Sequence, residues 1–330
     1  MGSPGRRAAR AAVALVAVAA AGAACGARDG DATRRVQGPE PVRTPTMTVV
    51  MVTHAGDGDT FWDVVRRGAR DAAIKDRVRF RYRHSEDGPG QASLIRDAVR
   101  ERSDGIITTL AKPAEVRPAL TAAVDAGVPV VTVNSGARFS REYGALAHIG
   151  QDEGAAGEAA GDELNKHGLR SALCVLHEQG SVALEERCAG VRKAFRGTAR
   201  NLNVRGTDLS ATRAAIAARL RSDGRIDAVV TLGAPFAAAA VAAKHDAGSR
   251  ARVGTFDLNA EVVGRLGSGT VAFAVDQQPY LQGYLAVDQL WLHARGAGVV
   301  GGGRPVLTGP TVVTGKEVPR LDKYVARGTR

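Results

Sequence analysis

The 330-residue chain is poor in aromatics, at 4%, and holds only three cysteines and three methionines. With rings this scarce, no band of stacking side chains runs beside its basic residues. The formal charge of +11 therefore does not make a nucleic-acid surface. Acids and bases are interspersed instead, as in REYGALAHIGQDEGAAGEAAGDEL. Three cysteines are too few for a disulfide scaffold. The seven histidines show no HExxH or other metal spacing, and no GxSxG elbow occurs. GAGVVG at 296–301 follows a helix-like stretch rather than a strand, so it is no dinucleotide loop. GPTVVTGKE at 309 puts five residues between its glycines and Glu317 where a P-loop has Ser or Thr. AGDGDTF lacks the later ligands of a calcium loop. These absences argue against an enzyme, and no cofactor or metal is implied.

What is present begins at the N-terminus. GRRAAR supplies positive charge, and residues 11–24 (AAVALVAVAAAGAA) carry none. That run is too short to span a bilayer and is followed by Cys25, which reads as an export signal over 1–24. AGAAC resembles a bacterial lipobox, with Gly22 where Leu is usual, so Cys25 is the expected lipidation site. Such an anchor would hold the protein at the outer face of the cell membrane. Residues 25–46 are rich in Gly, Pro and charge and poor in large apolar groups, the composition of a tether. Cys174 and Cys188 remain, and in an exported protein two leftover thiols are expected to pair. Closing so short a loop contributes roughly 3 kcal/mol in the entropy treatment.

From Met47 onward, apolar strand-like runs alternate with helix-length stretches. TVVMVT, VRFRYR, GIITTL and VPVVTV form one series; SALCVL, LNVRG, IDAVVTL and ARVGTF form a second at similar spacing. RSDGIITTL at 102 is echoed by RSDGRIDAVVTL at 221, each at the third strand of its series. The pattern predicts an α/β protein of two similar doubly wound parallel-sheet lobes. Ligands of such sheets bind at the carboxyl ends of strands, here between the two lobes. Phe61 and Trp62, adjacent in a chain with so few rings, sit where the first strand hands over to the first helix.

THAGDGDTFWDVVRRGARDAA, VPVVTVNS, GQDEGAAGEAAGDEL, ALEERCAGVRKAF, VGTFDLNAEVV and AVDQQPYLQGYLAVDQL, in this order, resemble the type I periplasmic solute-binding proteins, in the ribose-binding-like sugar branch. The resemblance covers about 47–315. It implies lobes of 47–150 with 278–308 and of 151–277 with 309–330, joined by a three-segment hinge crossing near Gly150, Gln277 and Thr308. The DQQPYLQGYLAVDQLWLHA segment would return to the first lobe as a helix. It also implies a ligand set: Phe61 and Trp62 stacking on a sugar, Asp59 before them, Asn134 and Ser135 after the fourth strand, and Arg187, Asp257 and Gln277 from the second half. Asn134 and Ser135 depart from the family's acid and Arg. Gly233 and Ala234 replace a frequent Asn-Asp, so the pocket is reshaped.

The chemistry agrees with that set. Sugar C–H faces suit aromatic planes, and hydroxyls suit planar bidentate groups. Each residue also has a plain reading: the aromatics as core, Arg187 as a solvated helix residue, Asp257 as a helix cap. The implied role is an extracytoplasmic lipoprotein, a monomer, that captures a monosaccharide or sugar alcohol and delivers it to the permease of an ABC importer. The alternative is a surface sugar sensor presenting its closed form to a membrane receptor kinase. Whether His54 and Asp57 meet the ligand is left open, and His177-Glu178 reads as a loop or pocket contact.

Overall fold

The computed structural model describes residues 46–56 and 58–330. The export signal, Cys25 and all but the last residue of the tether lie outside them, as does Asp57. In the first half, β1 (Thr48–Thr53), α1 (Thr60–Asp76), β2 (Arg79–His84), α2 (Gly88–Arg100), β3 (Gly105–Thr108), α3 (Pro113–Asp125), β4 (Val130–Val133), the short α4 (Ala137–Ser140) and β5 (Ala147–Gln151) follow one another. The second half repeats the series with α5 (Glu153–Lys166), β6 (Ser171–Leu176), α6 (Val182–Ala194), β7 (Thr198–Asn203), α7 (Leu209–Ser222), β8 (Ala228–Thr231), α8 (Ala234–Asp246), β9 (Arg252–Phe256), α9 (Ala260–Gly267) and β10 (Phe273–Asp276). The chain ends with α10 (Pro279–Gly296), β11 (Val306–Gly309), β12 (Thr311–Val313) and α11 (Val318–Ala326).

Two six-stranded sheets result, ordered β11-β5-β4-β3-β1-β2 and β12-β10-β9-β8-β6-β7. Nine of the ten strand pairings are parallel; β12 alone turns back antiparallel against β10. Central strands are covered on both faces, so β3, β4 and β8 are buried along their whole length and need no polar alternation. The edge strands β2 and β7 are largely exposed or half-buried. Arg79, Arg81 and Arg83 line the β2 edge, charges that discourage pairing with another chain.

The helices pack by the same rule in both lobes. Asp59 caps α1, and apolar positions Trp62, Val65, Ala69, Ala72 and Ala73 recur at helical spacing toward the core. α1 then lies against α10, and α6 against α5. These pairs approach so closely that only glycine fits: a Cβ on Gly68 would lie 2.0 Å from the Tyr280 carbonyl oxygen, and one on Gly157 2.1 Å from that of Arg187. The chain passes between the lobes three times, from β5 to α5, from β10 to α10, and from β11 to β12 through a cis Gly309–Pro310 bond. α5 and α10 thus each cover the lobe opposite to the strand they follow. Cys174 on β6 and Cys188 on α6 form a disulfide with Cα atoms 5.9 Å apart.

Candidate functional site

Between the lobes lies a cleft of ≈ 450 Å³, built at the carboxyl ends of the strands. All eight ligand residues expected from the sequence line it: Asp59, Phe61, Trp62, Asn134, Ser135, Arg187, Asp257 and Gln277. His54, Glu86, His177, Glu178 and Phe236 line it too.

The first lobe contributes the aromatic corner. Phe61 and Trp62 stand edge to face, with centroids 5.1 Å apart, and His54 meets Trp62 edge-on at the same separation. Trp62 is only 5% exposed and belongs to the first lobe's core as well as to the cleft wall. Trp62 thus serves the core and also faces the cleft. Phe61 packs on that core half-buried. One Asp59 oxygen accepts the Phe61 N–H as the helix cap, at 3.0 Å. Burial, foremost, pushes the Asp59 carboxyl up to about 6. His54 is half-buried, desolvation lowers its pKa, and its Nδ1 sits 2.7 Å from the Thr109 hydroxyl.

Charge and amides come from the strand ends. Asn134 follows β4 and Asp257 follows β9, and both adopt φ of 64° in the left-handed region. At both points the backbone N–H donates to a neighbouring strand, Asn134 to Ile149 and Asp257 to Val275. Gln277 joins them across the lobes. Its Oε1 accepts from Asn134 Nδ2 at 2.9 Å, and its Nε2 donates to Asp257 Oδ1 at 2.6 Å. Ser135 Oγ donates to Asn134 Oδ1 at 2.7 Å, and Gln282 steadies Gln277 from α10. Desolvation dominates at Asp257 and pushes its carboxyl up to about 7, against the pull of Arg187 and Gln277.

Arg187 is 3% exposed and is already engaged. Its Nε and Nη2 donate to the two carboxylate oxygens of Glu153, at 2.6 and 3.1 Å, and Nη1 donates to the Leu232 carbonyl at 3.0 Å. Burial opposes its charge, but Glu153 and Asp257 outweigh this and raise its pKa. A guanidinium carries five N–H groups, so two are left for a ligand. Glu153 was not singled out in the sequence, although it lies within GQDEGAAG; nothing there marks which of its acids turns inward. Phe236 was also missed. It stacks on His177 with centroids 4.0 Å apart, in the space that Gly233 leaves open. His177 is pushed down to about 3, chiefly by burial.

Three contacts bridge the lobes beside the cleft. Val182 N–H donates to Ala111 O across the lobes at 3.0 Å, and Lys112 faces Glu178 at 3.6 Å. Arg138 pairs with Glu186 at 3.2 Å between the same two lobes.

Two parallel-sheet lobes facing a cleft of aromatic and polar side chains define a solute-binding protein of the type I periplasmic fold, as its relatives are, and not an enzyme. The chain belongs to the periplasmic binding protein domain family, which matches residues 49–298. It is similar to the crystal structure of a carbohydrate transporter from Acidothermus cellulolyticus in complex with myo-inositol. The identity is 46%, covering 87% of this chain and 100% of that one, with a TM-score of 0.85. It also resembles GanP, a glucose-galactose binding protein from Geobacillus stearothermophilus, at 24% identity over 84% of this chain and 100% of that one, with a TM-score of 0.74; that likeness is one of fold. The xylose/arabinose-binding protein XylF of Sulfolobus acidocaldarius is 23% identical over 76% of this chain, and this match spans 66% of XylF.

Proposed function

We propose that the protein is an extracytoplasmic receptor that captures a monosaccharide or sugar alcohol, with myo-inositol the first candidate, by hinge closure and hands it to an ABC-type importer. The observation that carries this reading is the pairing of walls: Phe61, Trp62 and Asn134 on one side, Asp257 and Arg187 on the other, bridged by Gln277. A cyclic polyol has a C–H face for the rings and an equator of hydroxyls for planar acceptors and donors. The 46% identical relative with bound myo-inositol points to the same ligand class. Each lobe alone offers half of these groups, so affinity belongs to the closed state. The division of lobes is 47–150 with 278–308 against 151–277 with 309–330. Cys25 would carry the lipid that keeps the receptor, as a monomer, beside the permease.

Thermal shift and tryptophan fluorescence with pentoses, hexoses and cyclic polyols test this. Myo-inositol or a close analogue should give the largest response. Trp62→Ala, Arg187→Ala and Asp257→Ala should each weaken it at least tenfold, about 1.4 kcal/mol. Normal binding by all three variants would remove this site from consideration.

A further inference from the structure

Arg187 is the one Lys or Arg among the described residues that line the cleft. The other basic side chains there are His54 and His177, both of which burial holds toward the neutral form. Lys112 stays at the mouth, opposite Glu178. The guanidinium is met from behind by a carboxylate as deeply buried as itself, each side chain being 3% exposed. That carboxylate belongs to Glu153, the first residue of α5 after the chain has crossed between the lobes. Gln151, on the other side of that crossing, donates Nε2 to Glu153 Oε2 at 2.8 Å and fixes the carboxylate from a third direction.

We propose that Glu153 is a specificity-determining residue. By taking Arg187 in a two-point ion pair, it cancels the buried positive charge of the cleft and restricts the site to uncharged polyols, rejecting sugar acids and phosphorylated polyols.

The physical ground is differential. A hydroxyl needs only the directed N–H groups that Arg187 keeps, and two remain after its three protein bonds. An anion needs net positive charge to offset the water it gives up on burial. Here the pair is neutral, and Asp59, Asp257 and Glu178 add only acid to the walls. A cation gains little from those acids. Asp59 has an oxygen in the α1 cap, and Asp257 has one bonded to Gln277. Glu153 thus acts on the ligand through Arg187, and the selectivity follows from removing charge rather than adding contacts.

The inference rests on the polyol reading, and calorimetry separates the two. The probes are myo-inositol, D-glucuronate, myo-inositol 1-phosphate and D-glucosamine. Wild-type protein should bind myo-inositol at least a hundredfold more tightly than either anion. Glu153→Gln keeps an acceptor beside Arg187 and frees its charge. It should weaken myo-inositol by about tenfold, yet bind at least one anion tenfold or more tightly than wild type, with an affinity that falls as salt is raised. Glu153→Asp should keep the rejection. If Glu153→Gln does not fold, the wild-type ratio still decides: anion binding within tenfold of myo-inositol overturns the proposal. So does a folded Glu153→Gln that binds myo-inositol and still rejects both anions, or a wild type that prefers D-glucosamine. No binding of any uncharged sugar or polyol by wild type would instead overturn the polyol reading itself.

Discussion

The two lobes share a scaffold nearly element for element and divide the chemistry of the cleft between them. β1 ends in Thr53-His54 and β6 in Leu176-His177, and the strand registers place the two histidines at equivalent points. Asn134 and Asp257 occupy the same strand end with the same φ. Gly68 meets Gly283's helix as Gly157 meets Gly190's. The side chains differ where they face the ligand. The first lobe supplies Phe61, Trp62 and a neutral amide; the second supplies Asp257, the Arg187–Glu153 pair and Phe236. The lesson is that backbone placement repeats while wall chemistry does not: the Phe61–Trp62 corner belongs to the first lobe and the Arg187–Glu153 ion pair to the second. A second difference lies beneath the wall. Where the first lobe buries Met51 on its strand, the second has Cys174, tied to α6.

The helix crossings give the largest expected effects. Gly283→Val and Gly157→Val should each destabilise by more than about 3 kcal/mol in urea unfolding, because backbone rather than side chain blocks the added atoms. Only Gly157→Val should also weaken ligand binding, since it presses on the Arg187 backbone. Tolerance of either variant would break the equivalence of the two crossings. Reduction of Cys174–Cys188 comes next, at about 3 kcal/mol and in the second lobe alone. Both tryptophans, Trp62 and Trp291, report on the first lobe's core. The fluorescence transition of reduced protein should therefore fall less than the far-ultraviolet circular dichroism transition; equal shifts would show that the lobes unfold as one.

The smallest effect separates Asp257 from Asn134. A carboxyl raised in the folded state supports folding fully below its unfolded value, 3.8, and loses that support as pH rises through about 7. His148 and His177, held down to about 4 and about 3 by burial, act the other way. They support the fold above 6.5 and lose that support as pH falls toward those values. Asp257→Asn should accordingly gain on wild type by on the order of 2 kcal/mol between pH 4 and pH 6. A stability difference that stays flat across this range would contradict the burial of that carboxyl.

Much of this was legible because buried central strands leave strong local marks. TVVMVT and SALCVL are examples. β7 was misplaced by a few residues, since the apolar signal at LNVRG sits at one end of a polar edge strand, Thr198–Asn203. β5, β10, β11 and β12 were not visible as strands. They are three to five residues long, too short to carry a periodic signal of their own. At the site, the aromatic pair stood out in a ring-poor chain, and the strand-end polar residues came from the resemblance to the binding-protein family. Glu153 and Phe236 could not be found, because their roles come from partners 34 and 59 residues away, Arg187 and His177.

The exchange of α5 and α10 between the lobes also bears on the order in which the protein can be made. As the chain leaves the ribosome, β1 through β5 emerge with the Gly68 face of α1 bare, and its cover comes only with residues 279–296. The second lobe waits in turn for β12 at 311–313 to close its sheet edge. Neither lobe is complete until residues 306–313 supply β11 and β12. The two lobes must therefore mature together, and not one after the other.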